Sequence, residues 1–146
     1  MTRKFIYFVM LAAFSMLTAC SDSASDQPTP PNVTLSNLSL KWDTSTSPPD
    51  ILGWVNGTAV NSGETAAQTV QIQLQLFDEN QNLLSTSQWQ TIFNNLNGGA
   101  SLGFNVFWWF PYPSTACYKA KYYKVNVQWA NNAVECESGF EPVLGN

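Results

Sequence analysis

Two stretches of alternating apolar and polar residues constrain the fold of this chain more than any other feature. They are Thr69–Leu76 (TVQIQLQL) and Tyr122–Trp129 (YYKVNVQW). In a β-strand successive side chains point to opposite faces, so a period of two places one face on a core and the other in water. Both stretches therefore predict half-buried β-strands.

The rest of the chain after the N-terminal region shows strand and turn signals and no helical period. Phe104–Phe110 (FNVFWWF) predicts a strand that is apolar on both faces, and Leu35–Trp42, Leu52–Val60 and Leu83–Thr91 predict further strands of weaker pattern. Short segments rich in Asn, Asp, Gly and Pro separate the predicted strands, as is typical of turns. About seven short strands at this spacing predict an all-β, antiparallel, immunoglobulin-like β-sandwich.

Part of this region resembles the FxLYD-type domain of bacterial envelope proteins. The resemblance covers roughly Leu35–Val127. It includes Gly53–Gly63 (GWVNGTAVNSG), Val70–Asp78, and Asn95–Gly98 followed by Phe104. The motif that names the family falls on Leu74, Leu76, Phe77 and Asp78, with Phe77 in place of the usual Tyr and Leu74 in place of the usual Phe. The resemblance implies an immunoglobulin-like sandwich and supplies no catalytic residue.

The N-terminal twenty residues have the organisation of an export signal. Arg3 and Lys4 precede the uncharged apolar run Phe5–Met16, which is too short to span a bilayer. The following Leu17–Cys20 (LTAC) resembles the lipobox of bacterial lipoproteins. The resemblance implies that residues 1–19 are a signal peptide, and that the chain is cut before Cys20 and lipidated on that residue.

The predicted mature chain has a tether and one domain. Ser21–Pro31 is rich in Ser, Asp and Pro and lacks large apolar residues, so we predict a disordered tether over residues 20–33 and a β-sandwich over 34–146. In lipoproteins Ser21 after the lipidated cysteine is compatible with sorting to the outer membrane. The expected location is therefore the cell envelope, with a lipid anchor in the outer membrane and the domain facing the periplasm.

Composition argues against several classes of function. The net charge is −4 and becomes about −6 without Arg3 and Lys4, which argues against nucleic acid as a partner. The chain contains no histidine, so it lacks the Ser-His-Asp and Cys-His arrangements of many hydrolases. We expect a non-enzymatic protein without cofactor or metal; the oxygen-rich turn Asp78–Asn82 leaves calcium binding as an alternative.

Two cysteines remain besides Cys20. Because the chain is predicted to be exported, we expect Cys117 and Cys136 to form a disulfide with each other. Two buried free thiols are the alternative.

The aromatic run Phe104–Tyr112 (FNVFWWFPY) contains the candidate binding residues Phe107, Trp109 and Tyr112. One face of this strand packs on the core. Large apolar rings on the other face are expected only where another group covers them. Three alternatives are a protein partner, a carbohydrate or peptidoglycan ligand, and a covering loop formed by residues 112–121. The four tryptophans outside this run are predicted to lie in the core: Trp42, Trp54, Trp89 and Trp129.

Overall fold

A computed structural model describes residues 27–43, 50–111, 115–130 and 132–143 of the chain. Only the backbone is described at residues 43, 50–52, 109–111, 115, 118 and 132–137. The predicted signal peptide, Cys20 and the tether as far as residue 26 lie outside the described residues, so these predictions stay predictions. Within the described ranges, no helix is long and apolar enough to cross a bilayer.

The described residues form two antiparallel sheets. In chain order the elements are β1 Val33–Asp43, β2 Asp50–Asn61, β3 Ala67–Phe77, β4 Leu83–Thr86, β5 Gln90–Leu96, β6 Ser101–Pro111, α1 Thr115–Lys119, β7 Tyr122–Trp129, β8 Asn132–Glu137 and β9 Glu141–Pro142. β2 lies between β1 and β6 in a three-stranded sheet. In a six-stranded sheet, β3 pairs with β4, β5 and β7, and β7 pairs with β8 and β9. The predicted all-β, antiparallel sandwich is confirmed.

The strand predicted over Leu83–Thr91 is instead two strands, β4 and β5, which share one edge of β3. Between them, Ser87 makes two hydrogen bonds to Leu74 of β3. The Ser87 N–H donates to the Leu74 carbonyl (2.8 Å), and the Ser87 Oγ accepts from the Leu74 N–H (2.9 Å). The side-chain hydroxyl bonds the β3 backbone while the chain departs from regular pairing. This break and the short terminal strand β9 raise the strand number above the predicted seven.

The core lies between the inward faces of the two sheets. On β3 and β7 the apolar members of the alternating stretches are almost fully buried, as the period of two predicts. From the smaller sheet the buried side chains include Val33, Leu40, Val55 and Ala59. Full burial of one large aliphatic side chain contributes about 1.5–3 kcal/mol, so these faces hold the sheets together.

A bulge in β1 fits against a glycine in β2. The register of the two strands shifts between Ser36 and Ser39, and Asn37 has a positive φ of 52°. A Cβ on Gly57 would overlap the side chains of Leu38 and Phe104, which both pack over that position. The absence of a side chain at Gly57 therefore lets the neighbouring strands fill the core with larger groups.

The predicted tether, residues 20–33, is too long at its C-terminal end. Val33 is already part of β1 and is fully buried. The N–H of Asn32 donates to Oδ1 of the buried Asn61 (3.0 Å), whose Nδ2 donates to the Thr65 carbonyl (2.8 Å). The prediction missed this because a Pro-rich, polar segment buries little apolar surface, whereas backbone hydrogen bonds hold it here.

Candidate functional site

The aromatic strand β6 has one face on the core and one face in solvent. Phe104, Val106 and Trp108 point inward and are buried. The indole N–H of Trp108 donates to the Gln88 carbonyl (3.1 Å), which satisfies its one polar group. This inward face is the part of the aromatic run that the fold itself requires.

Phe107 lies on the opposite face of β6 and is 44% exposed. Its ring contacts that of Trp54, with ring centroids 5.2 Å apart and planes tilted by 49°. The two residues are direct partners in the β2–β6 register, which is why their side chains meet. We call Trp54 and Phe107 the aromatic pair.

The position of Trp54 corrects the expectation that it belongs to the core. Its neighbour Val55 is fully buried, so alternation along β2 turns Trp54 outward, where its side chain is half-buried. Of the other tryptophans, Trp129 is buried and Trp42 packs on the core, as expected, whereas Trp89 is half-buried in the β4–β5 connection. Sequence reasoning therefore missed one member of the aromatic pair.

Polar residues lie beside the aromatic pair on part of this face. In the register Lys41 of β1 lies opposite Trp54, and both Lys41 and Phe107 are exposed. Two residues further along, Asn56 lies opposite Asn105. Among the described side chains, the aromatic pair thus has an ammonium group and two side-chain amides as neighbours.

Two of the predicted binding residues are not tested by the structure. Trp109 pairs with Leu52 two positions beyond Phe107, but only its backbone is described. Tyr112 lies outside the described residues. Of the three predicted binding residues, Phe107 is therefore the one whose side chain is placed.

The covering loop was one of the three alternatives for the outer rings of β6, and residues 112–114 of it lie outside the described residues. Helix α1 lies instead against the six-stranded sheet, where Cys117 and Ala120 are buried in the core. The N–H of Lys121 donates to the Phe77 carbonyl at the end of β3 (2.9 Å). The described part of this segment is therefore attached to the six-stranded sheet, and Phe107 is 44% exposed.

The predicted Cys117–Cys136 disulfide stays a prediction. Cys117 on α1 is 3% exposed. Cys136 lies on β8 opposite Val127, but only its backbone is described.

The oxygen-rich turn after β3 is organised by its own hydrogen bonds. Oδ1 of Asp78 accepts from the N–H groups of Asn80 and Asn82, each at 2.9 Å, and Oδ2 accepts from Asn82 Nδ2 at 3.1 Å. These hydrogen bonds lower the pKa of the Asp78 carboxyl, and the bonds from Asn82 have the largest effect. The described part of the chain contains no group of three His, Cys, Asp or Glu residues placed to hold a metal ion.

A second aromatic cluster, which the sequence analysis missed, lies on the outer face of the six-stranded sheet. The Phe140 ring contacts Phe77 edge-on (5.0 Å between centroids) and lies 6.3 Å from Tyr122. Lys124 Nζ lies over the Phe140 ring, 4.2 Å from its centroid. The Phe77–Tyr122 register brings these residues together, and no local pattern near Phe140 predicts it.

Comparison with known proteins identifies no family. No protein-family model matches the chain, and no curated protein matches it significantly. Among solved structures, the ApaA protein from Bordetella pertussis is similar, with a TM-score of 0.43 and 12% identity over 79% of this chain and 90% of that one. A similarity at this level carries no functional information, and the resemblance to FxLYD-type domains stays a prediction.

Proposed function

We propose that this chain is a lipid-anchored protein of the bacterial cell envelope whose β-sandwich is a non-catalytic module that binds another envelope protein. Lipidation of Cys20 supplies the membrane anchor, and the location that follows from Ser21 is the periplasmic face of the outer membrane. The observation that carries the binding role is the exposed ring of Phe107, which rests on Trp54.

The chemistry of this face matches that of a protein interface. Energetic hot spots are enriched in aromatic residues and lie within a rim of weaker polar contacts. Here the aromatic pair has Lys41, Asn56 and Asn105 as its polar neighbours in the register. A partner that covers the Phe107 ring removes apolar surface from water, whereas the amides keep hydrogen-bonding groups at the border.

The tilt of the rings favours a protein partner over a sugar. A pyranose chair stacks one apolar C–H face on one aromatic plane, but the planes of Trp54 and Phe107 differ by 49°. The two rings therefore form an angled surface that suits a side chain of a protein partner. Carbohydrate or peptidoglycan binding is the alternative function of the same residues.

An oxidised pair of Cys117 and Cys136 belongs to this proposal, because the periplasm is an oxidising compartment. Mass spectrometry of the exported protein after thiol alkylation tests it. A mass without alkyl groups on these two residues supports the disulfide, and alkylation of both after unfolding contradicts it.

The binding role is tested by photo-crosslinking in the producing bacterium, from a photoreactive residue at position 107 of the full-length lipoprotein. Leu83 is the matched control, because it is 55% exposed and lies on β4 of the other sheet. We expect a discrete protein adduct from position 107 and none from position 83. Absence of an adduct from a folded, exported protein contradicts the proposal.

Purified protein separates the alternative function. Soluble peptidoglycan fragments are added and tryptophan fluorescence is measured. A change in fluorescence, together with no protein adduct in the crosslinking experiment, would support glycan binding instead of protein binding.

A further inference from the structure

Two serines make the same set of hydrogen bonds on opposite sides of the central strand pair β3–β7. Ser87 bonds to Leu74 of β3 through its N–H and its Oγ, as described above. On the other side, the Ser138 N–H donates to the Val125 carbonyl (3.0 Å), and Ser138 Oγ accepts from the Val125 N–H (2.8 Å). Leu74 and Val125 are direct partners in the register, so the two serines are related by an approximate local two-fold symmetry.

The chain continues in the same way after each serine. Ser87 Oγ donates to the Gln88 carbonyl, and Ser138 Oγ donates to the Gly139 carbonyl, each at 3.0 Å. β5 begins three residues after Ser87, and β9 begins three residues after Ser138. Gln88 and Gly139 therefore hold equivalent positions in the two turns, and so do the first residues of β5 and β9.

On the Ser87 side, β6 closes the space between the edges of the two sheets. The indole N–H of Trp108 donates to the Gln88 carbonyl (3.1 Å), and Nε2 of Gln90, the first residue of β5, donates to the Phe107 carbonyl (3.0 Å). Trp108 is 4% exposed. This side is thus filled by an indole ring whose N–H group bonds to the carbonyl of the turn.

On the Ser138 side, the corresponding space is a pocket of about 300 Å³. It lies between β1 and the turn Ser138–Glu141, and its polar lining on β1 consists of Thr34, Ser36 and Asn37. Asn37 is the residue of positive φ at the bulge, where β1 leaves regular pairing. Among the described residues, no hydrogen bond joins β1 to this turn, in contrast to the bonds that β6 makes on the other side.

The groups around this pocket favour a positively charged hydrogen-bond donor. Glu141 is the one charged residue among the described residues that line it, and it holds the position that Gln90 holds on the closed side. The Gly139 carbonyl is equivalent to the one that receives the indole N–H, and the space where a Cβ of Gly139 would lie is open. Charge-assisted hydrogen bonds to a carboxylate are stronger than neutral ones, and the net charge of −4 attracts cations.

We infer that the pocket between β1 and the turn Ser138–Glu141 binds an organic cation with N–H donors, which is an ammonium or guanidinium group. The Glu141 carboxylate pairs with its charge, and the Gly139 carbonyl accepts a further hydrogen bond. The volume of about 300 Å³ is at the lower end for ligand sites and suits one small amine or one basic side chain of a protein. The inference goes beyond the proposed function, because it does not involve the aromatic pair.

Binding is measured by two-dimensional NMR of the nitrogen-labelled, full-length protein in detergent micelles. The probe is N-acetyl-arginine methylamide. The corresponding citrulline compound is the control ligand, because it keeps the shape of the side chain without its charge. We expect the amide signals of Asn37 and Gly139 to shift and saturate with the arginine probe, and to shift much less with the citrulline compound. Absence of a saturable shift, or equal affinity for the two compounds, overturns the inference.

The role of the carboxylate is tested with Glu141→Gln, which keeps the size of the side chain and removes its charge. We expect the affinity for the arginine probe to fall about tenfold, because a hydrogen bond to a charged group contributes more than a neutral one. Glu79→Gln is the matched control, since its carboxylate is exposed and does not line this pocket. Equal affinities of the two variants contradict the role of Glu141. The comparison of the two ligands uses the unaltered protein and does not depend on either variant folding.

The source of the cation is identified by photo-crosslinking in the producing bacterium from position 36, since Ser36 is exposed and lines the pocket. A discrete protein adduct, together with binding of the arginine probe, assigns the cation to a side chain of a protein. Binding of the probe without an adduct assigns it to a free small amine. Absence of an adduct from position 107 would overturn the proposed function and leave the NMR result unchanged, so the two failures are distinguishable.

Discussion

The outer faces of the two sheets differ in how their side chains are satisfied. On the six-stranded sheet Gln128 Nε2 donates to Gln71 Oε1 (3.0 Å), and Gln73 Nε2 donates to the Ser87 carbonyl (3.0 Å). On the three-stranded sheet Phe107 presents an exposed ring beside Trp54. The amides of Gln71, Gln73 and Gln128 on the first face have hydrogen-bond partners within the protein, whereas on the second face the Phe107 side chain is 44% exposed.

This comparison separates residues that stabilise the fold from residues that are available for binding. A face closed by internal hydrogen bonds loses stability when a member is removed, because its partners keep a desolvation cost. An exposed ring has little stability to lose, because much of its surface is already in water. Variants on the outer face of the six-stranded sheet are therefore expected to lower the free energy of unfolding. Variants of the aromatic pair are expected to weaken the binding of a partner.

Both sheets pack on one core. The pH dependence of unfolding tests whether this core keeps the Tyr123 phenol away from solvent. Burial, with a smaller effect of the Glu141 charge, raises the pKa of the Tyr123 phenol to about 12. The unfolded chain releases this proton near pH 10, so stability is intact below pH 10 and is lost up to about pH 12. The expected result is a fall in the free energy of unfolding between these two pH values.

Urea unfolding from pH 9 to pH 12 measures this loss, and Tyr123→Phe serves as the control because it retains the ring without the ionisable group. We expect a smaller slope of stability against pH in the variant. Equal slopes in the two proteins would show that Tyr123 does not lie in a dry core.

The open face is tested with Phe107→Ser. If the ring is the anchor of the interface, its removal weakens partner binding about 30-fold or more, since truncation of a hot-spot residue costs about 2 kcal/mol. The free energy of unfolding falls by only about 1 kcal/mol, which is the size of an aromatic pair contact. The measurements are crosslinking yield from a photoreactive residue at position 105 and urea unfolding of the same variant. A large loss of stability with unchanged crosslinking would assign Phe107 to the fold.

The closed face is tested with Gln73→Ala. Asn126 is 2% exposed and its Nδ2 donates to Gln73 Oε1, so the variant leaves a buried amide without that acceptor. We expect the free energy of unfolding to fall by about 1–2 kcal/mol, with partner binding unchanged. Gln75→Ala on the same face is the matched control and is expected to cost less. Loss of crosslinking from position 107 in Gln73→Ala would break the distinction between the faces.

The smallest effect is expected in the turn that ends β3. Hydrogen bonds from Asn82 and Asn80 lower the pKa of Asp78, so its contribution to stability is present above pH 4 and is lost as the pH falls through the lowered value. Melting temperatures between pH 6 and pH 2 measure it. Asp78→Asn, which does not titrate, is expected to show a slightly smaller fall in acid, and a larger fall would contradict this account.

Local sequence predicted the inward faces of β3 and β7 correctly, because alternation with a period of two is a property of the strand itself. It also predicted that one face of β6 packs on the core and that Phe107 lies on the other face. It failed at Ser87, where one hydroxyl replaces the regular pairing of β3 and splits a predicted strand in two. It failed also at Thr29, whose partners lie 35 residues away at Glu64 and are not visible in a local pattern.

The sequence by itself determined the fold class and which residues of the regular strands face the core, since both follow from spacing along one strand. Only the tertiary structure decided that Trp54 faces outward. The inward positions of β2 include Gly57, and the space above it is filled by Leu38 from β1 and Phe104 from β6. Those side chains supply the volume that a core requires, so β2 presents its small residues to the core and its tryptophan to the surface.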